Sequence, residues 1–324
     1  MDPVSHALLG RTLGIADRGD RFTRSVAVAC MLGALAPDLD LVMAAHGWDV
    51  YLLAHESWTH TLAASPFVAL AVAGAVRLFA RDASLATLWR ATWLSVVVGH
   101  LGFDFVSGSD MRMLQPFSSL RLGPHYFSMA DLLLVPIVLA GTALMAVRRR
   151  IGVAARTLAV GVLIALAAMC GMKAWSQRAA VAIVGDTLAR DGGSSFISRP
   201  YAVNGSLTTW WFYQRAGSEV RAWRVNARTG ETTLSFARHS ADDEPAVAAS
   251  ISAPIVKTLL SLAAVPFARL EHDRKGAMVL WSDLRYCDAD SCELSFGARL
   301  DSDGQPMSQI VRVGSYERDR GPVR

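Results

Sequence analysis

The chain is 324 residues long, 52% hydrophobic and carries a formal net charge of +4, with a mean hydropathy of +0.30. It is longer and more apolar than one usual soluble domain, which places part of it in a membrane. Its basic residues are scattered between apolar runs and build no continuous stripe, which argues against nucleic acid as a partner.

The start, Met1-Asp-Pro-Val-Ser-His6, lacks the positively charged region that precedes the core of a cleavable signal, so the N-terminus is expected to be retained. Pro3 to Ala16 has the pattern of an apolar helix, but at about 14 residues it is short for a full crossing. It is expected to enter part-way or to lie against the bundle. Five longer stretches follow, Val26 to Ala45, Thr61 to Phe79, Ala91 to Val106, Ala130 to Val147 and Thr157 to Trp175, each long enough or nearly so to span ~30 Å of hydrocarbon. Pro37 is expected to break or kink the first.

Arginines orient these spans. Arg18, Arg21 and Arg24 precede the first, Arg77, Arg81 and Arg90 separate the second from the third, and Arg148, Arg149, Arg150 and Arg156 separate the fourth from the fifth. Those loops belong inside by the positive-inside rule. The loops His46 to His60 and Ser107 to Met129, poor in Lys and Arg, belong outside. Everything after Trp175 then falls on the outer, extracytoplasmic side.

From Ser176 to Arg324 the long apolar runs stop and period-two patterning begins. Val220 to Val225, an Arg-Thr-Gly-Glu turn and Thr232 to Phe236 read as one hairpin; Leu294 to Leu300 with a return near Gln309 to Val313 reads as another. Helices are expected at Ala179 to Ala189 and Ile255 to Leu270, the second as a core helix in preference to one lying on the membrane. Trp210 and Trp211 fit strand-core packing better than a ligand groove. Cys30 and Cys170 read as apolar fillers, whereas Cys287 and Cys292 favour a local disulfide over half of a zinc site. The expected fold is an α-helical multi-pass membrane bundle of about five spans plus a short N-terminal helix, residues 1–175, followed by a β-rich extramembrane domain, residues 176–324.

His6, Asp38, Asp40, His55, His60, His100 and Asp104 lie in or beside these apolar segments. Ionisable groups in hydrocarbon are costly unless they face a protein interior and find partners, so their concentration marks a site. At ~1.5 Å per residue, His6, Asp38, His100 and Asp104 reach roughly 14 to 20 Å from the inner ends of their segments. His55 and His60 approach the same depth from the outer loop. Each residue alone has a plainer reading, a packing histidine or a helix-capping aspartate, but caps and packing residues have no reason to agree in depth.

His100 and Asp104, four apart, share one helix face. Asp38 and Asp40 would diverge on a regular helix, yet a break at Pro37 could turn both inward. His55-Glu-Ser-Trp-Thr-His60 is one residue too long for the His-Glu-x-x-His helix of zinc proteases, so that reading is rejected. Mixed imidazole and carboxylate donors suit a divalent metal, zinc or manganese, with room for one or two ions. Asp131 reads either as a cap or as a residue orienting a ligand histidine from behind. Glu56 reads as a solvated loop residue.

Ser5-His6 before an apolar helix, Gly33-Ala-Leu-Ala-Pro-Asp-Leu-Asp40, His55 through Thr59-His60, and Gly99-His100-x-x-x-Asp104 followed by Gln115-Pro-Phe117 resemble the YdjM family over about residues 1 to 150. Its members are bacterial inner-membrane proteins commonly described as membrane-bound metal-dependent hydrolases. The resemblance marks His6, Asp38, Asp40, His55, His60, His100 and Asp104 as the functional set, with Asp131 similar to a later family acid. Glu56 departs from the arginine that many relatives carry after the first loop histidine, which puts in doubt the substrate-binding role the resemblance would give an arginine there. What the resemblance implies is hydrolysis, with a metal ion activating water and Asp38 or Asp40 accepting the proton. An outward-opening cavity at headgroup level points to an ester or phosphoester of a lipid or lipid-linked, amphipathic substrate, with the bilayer as the other partner. The rival classes are a metal or proton transporter and an anchor presenting the β-rich domain. Nothing in the sequence sets an oligomeric state.

Overall fold

The computed structural model describes residues 2–322 apart from 56, 109, 129, 152, 188–195, 274 and 275. It divides into two compact units, Met1–Gln177 with Tyr201–Leu207, and Arg178–Pro200 with Thr208–Arg324.

In the first unit, α1 (Pro3–Arg18) begins at Asp2, whose carboxylate accepts the Ser5 N–H at 2.9 Å, with Pro3 at the first helical position. It ends at Gly19, where φ is +55°. Thr23 caps α2 (Arg24–Leu35). These two helices approach closely because Gly10 has no side chain: a Cβ there would stand 2.5 Å from the Cys30 carbonyl oxygen. Pro37 then ends the α-helical hydrogen bonding as expected, and the chain continues as a 3-10 helix over Ala36–Ala45.

Next come α3 (Trp48–Ala54), a 3-10 turn at Trp58–His60 and α4 (Ser65–Phe79). α5 (Leu85–Leu94) runs through a π-helical stretch, Ser95–Leu101, into α6 (Gly102–Val106). α7 (Leu134–Ile151) and α8 (Ala155–Thr187) complete the helices of this half. Leu9 and Leu13 of α1 pack with Leu134 and Val138 of α7 and Leu166 and Met169 of α8. Val26, Ala29 and Cys30 of α2 pack with Ala73 and Val76 of α4 and Leu88 and Ala91 of α5. The short first helix is therefore a buried member of the bundle.

Five spans are not supported. Among the described residues, two helical segments are long and apolar enough to cross a membrane, Arg24–Ala45 and Ala155–Gly185, and a third arises if Val50–His60 and Ser65–Phe79, bent by 85°, count together. The expected fourth span is apolar and helical only over Leu134–Val147, roughly 21 Å against ~30 Å of hydrocarbon. Ala91–Val106 is helical but changes helix type at Ser95 and again at Gly102, and it carries His100 and Asp104 in its interior.

The strands are β1 (Phe196–Ile197), β2 (Tyr201–Ala202), β3 (Thr209–Ala216), β4 (Glu219–Asn226), β5 (Thr232–His239), β6 (Pro266–Asp273), β7 (Gly276–Asp283), β8 (Leu294–Leu300), β9 (Pro306–Val313) and β10 (Tyr316–Pro322). In the second unit β1, β3, β4 and β5 lie side by side in that order, and β6 to β10 form an antiparallel meander. Both expected hairpins are present, with Ala222 opposite Phe236 and Phe296 opposite Val311. Trp210 is fully buried, in keeping with a core role.

Two helix expectations are corrected. The stretch from Ala179 is no separate helix; α8 continues without a break to Thr187, because Ser176-Gln-Arg-Ala-Ala is compatible with helix. Residues 188 and 189 lie outside the described set. The second expected helix stops early: α9 (Pro245–Ser250) is followed by α10 (Pro254–Leu262), Ala263 turns extended and Pro266 opens β6. Pro266 has no N–H to continue a helix. α10 buries Ile255, Val256 and Leu259, as a core helix does. Cys287 and Cys292 are disulfide-bonded.

Candidate metal centre

Each histidine of the centre is held by its far nitrogen. His100 Nδ1 lies 2.7 Å from the Ala34 carbonyl oxygen at the end of α2, and His6 Nδ1 lies 3.0 Å from the Gly99 carbonyl oxygen. A carbonyl only accepts, so in both rings Nδ1 carries a proton, which leaves Nε2 as the atom that faces the centre. The two rings stack with centroids 4.2 Å apart. His60, at the end of its 3-10 turn, adds a third imidazole, its Nε2 3.0 Å from His100 Nε2. All three rings are fully buried.

Two carboxylates meet these nitrogens. Asp104 Oδ1 is 3.1 Å from His6 Nε2, and its Oδ2 is 3.1 Å from His100 Nε2 and 3.9 Å from His60 Nε2. Asp38 Oδ1 is 3.4 Å from His60 Nε2 and 3.5 Å from His100 Nε2. The side chain of Asp38 is 28% exposed whereas that of Asp104 is 7% exposed, so Asp38 marks the open side.

Asp38, His60, His100 and Asp104 thus offer ligand atoms that lie within 4.8 Å of one another. Donors held ~2.0–2.2 Å from one ion sit about 2.9–3.5 Å apart along the edges of a tetrahedron or octahedron. Most of these separations match. Lone pairs and carboxylate oxygens packed this closely repel one another unless a positive charge lies among them. His6 Nε2 is buried and faces the Asp104 carboxylate at 3.1 Å, at the edge of the same group of donors. The donor set therefore fits a divalent metal.

The two aspartates of the Pro37 turn are divided between tasks. Asp40 leaves the four-residue group and accepts from His55 Nδ1, at 2.9 and 3.1 Å from its two oxygens, and from the Thr59 hydroxyl at 3.1 Å. Asp40, His55 and His60 form a second cluster of metal-capable groups. The His55 side chain is 25% exposed, stacks on Tyr51 and meets His60 edge-on.

Asp131 lies in neither group. It accepts from the Leu133 N–H at 2.9 Å and from the N–H and hydroxyl of Ser128, so its carboxylate ties together the turn that leads into α7. Glu56 lies outside the described residues. Two features were not assigned roles from the sequence. Thr59 bridges His60 and Asp40, and only its place next to a histidine could have signalled this. His125, buried in a left-handed conformation with φ +56°, lies 3.3 Å from Asp110 and against Tyr201 and is a member of neither cluster. No local pattern distinguishes it in the sequence.

A family model described as YdjM inner membrane protein matches residues 1–178. The chain is also similar to "Uncharacterized protein YfhP" of Bacillus subtilis (strain 168), 28% identical over 125 residues, covering 36% of this chain and 38% of that protein. The match thus spans little more than a third of that relative's length. No solved structure matches this chain.

Proposed function

The chain belongs to the YdjM inner membrane protein family, and from that footing we propose that it is a membrane-embedded, metal-dependent hydrolase. Its substrate is an ester or phosphoester of a lipid or lipid-linked molecule. The observation that carries the reading is the convergence of the His60 and His100 Nε2 atoms, 3.0 Å apart, with the Asp38 and Asp104 carboxylates at 3.1–3.9 Å from them, inside an apolar bundle.

Asp38, His60, His100 and Asp104 hold the cation, with His6 completing its surroundings. When bound, a divalent ion such as zinc or manganese supplies Lewis acidity, which polarises an ester and makes water more acidic. Asp40 fixes the His55 ring by accepting its Nδ1–H, so that Nε2 is the atom that takes the proton from the attacking water. Asp40 thereby supports a base instead of acting as one, and Asp38 serves as a ligand.

Apolar side chains support the substrate class. Leu39, Leu41 and Val42 beside the aspartates, and Trp58 and Leu62 beside His60, are exposed. A polar reacting group next to such surface suits an amphipathic molecule entering from the bilayer. The disulfide supports an oxidising, extracytoplasmic location for the second unit.

Metal-free full-length protein in detergent, reloaded with zinc or manganese, is the test. It should hydrolyse at least one member of a phospholipid, acyl-ester and lipid-linked phosphoester panel only after reloading. Metal demonstrably bound with no turnover across the panel overturns the hydrolase reading.

A further inference from the structure

His60 takes part in both metal-capable clusters, and the hydrogen bonds of Thr59 decide between them. The Thr59 hydroxyl is 3.1 Å from Asp40 Oδ2 and 3.0 Å from His60 Nδ1. A threonine hydroxyl has one proton, and an ionised carboxylate can only accept. That proton goes to Asp40, so Thr59 Oγ1 must accept from His60, and His60 Nδ1 must carry a hydrogen. The second oxygen of the same carboxylate takes the His55 ring. The result is one directed chain, His60 Nδ1–H to Thr59 Oγ1–H to Asp40, with His55 Nδ1–H arriving from the other side.

We propose that Thr59 is a positioning residue: it relays Asp40 to His60, sets the tautomer that turns the His60 Nε2 lone pair toward Asp38, His100 and Asp104, and so limits the centre to one cation. This rests on the metal-site reading above. A protonated Nδ1 cannot bind a second ion, so Asp40, His55 and His60 form a hydrogen-bonded group and not a second metal site. The arrangement is a ligand histidine backed by a carboxylate: Asp40 Oδ2 stands 3.4 Å from His60 Nδ1, and the Thr59 hydroxyl makes the shorter contact to each. Thr59 then does for His60 what the Ala34 and Gly99 carbonyls do for His100 and His6.

The test uses the full-length chain in detergent with cobalt or zinc as the probe. Wild type should bind one ion per chain. Thr59→Val, which keeps the shape and removes the hydroxyl, should bind on the order of 10–100-fold more weakly and change the visible absorption of the cobalt form. Thr59→Ser should restore both. Nitrogen-15 NMR of histidine-labelled wild type needs no variant and should show His60 protonated at Nδ1 and coordinated at Nε2. Equal affinities of wild type and Thr59→Val, two ions per chain, or coordination through Nδ1 each overturn the inference while leaving a metal site in place. A wild type that binds no ion overturns the metal-site reading and this inference with it.

Discussion

His100 Nε2 and Asp104 Oδ2 stand 3.1 Å apart, although the helix carrying them changes from π to α between the two residues. The wider turn lets His100 Nδ1 reach Ala34 on α2 without losing the Asp104 contact. Both groups point at one place because of this local irregularity.

Removal of either group should therefore empty the centre. His100→Ala and Asp104→Ala are each expected to lower bound metal from about one ion per chain to a small fraction, measured by elemental analysis after gel filtration. His46→Ala, in a residue beyond the 3-10 stretch and outside both clusters, should keep the wild-type content. Full metal retention by Asp104→Ala would remove that residue from the ligand set.

Helix packing should matter to the site as much as the ligands do. Gly10→Ala places a methyl 2.5 Å from the Cys30 carbonyl and 2.8 Å from Ala34 Cβ, so α1 must move away from α2. The expected cost is ~1–3 kcal/mol, together with weaker metal binding, since His6 rides on α1 and Ala34 anchors His100. Gly161→Ala, which meets nothing within 4 Å, is the control. Thermal unfolding in detergent with and without metal separates the two effects.

Asp131 should behave as a brace of the turn before α7. Asp131→Ala strips acceptors from the Leu133 and Ser128 N–H groups and removes a negative charge near the buried Lys173. The expected loss is ~0.5–2 kcal/mol of stability, as for a lost capping side chain, with metal content and affinity unchanged. A loss of metal affinity without a loss of stability would show that Asp131 orients a ligand instead.

The cysteines offer a test of orientation. Intact cells treated with a membrane-permeant thiol reagent should leave Cys287 and Cys292 unmodified until a reductant is added, as the disulfide requires. Prompt modification without reductant would place the second unit in a reducing compartment and contradict the proposed extracytoplasmic location.

Much of this molecule is legible along the chain. The break at Pro37, the hairpins around Arg228-Thr-Gly-Glu231 and Asp301-Ser-Asp-Gly304, and the i, i+4 partnership of His100 and Asp104 follow from backbone geometry within a few residues. The number of spans does not. Leu134–Val147 and Ala91–Val106 are apolar enough to suggest crossings, but their helical lengths and internal breaks are set by what packs against them. The early end of α10 was hidden for a similar reason: Phe267 to Leu270 fit helix or strand until pairing with β7 selects the strand.

Sequence alone determined which side chains would be kept in apolar surroundings, because His6, Asp38, Asp40, His55, His60, His100 and Asp104 stand out wherever burial is costly. The fold decided which atom of each side chain faces the centre. His6 finds its carbonyl 93 positions away at Gly99 and His100 finds its own 66 positions away at Ala34, while Asp38 and Asp40 part company within one turn. A tautomer is set by the partner on the far side of the ring, and only folding brings that partner there.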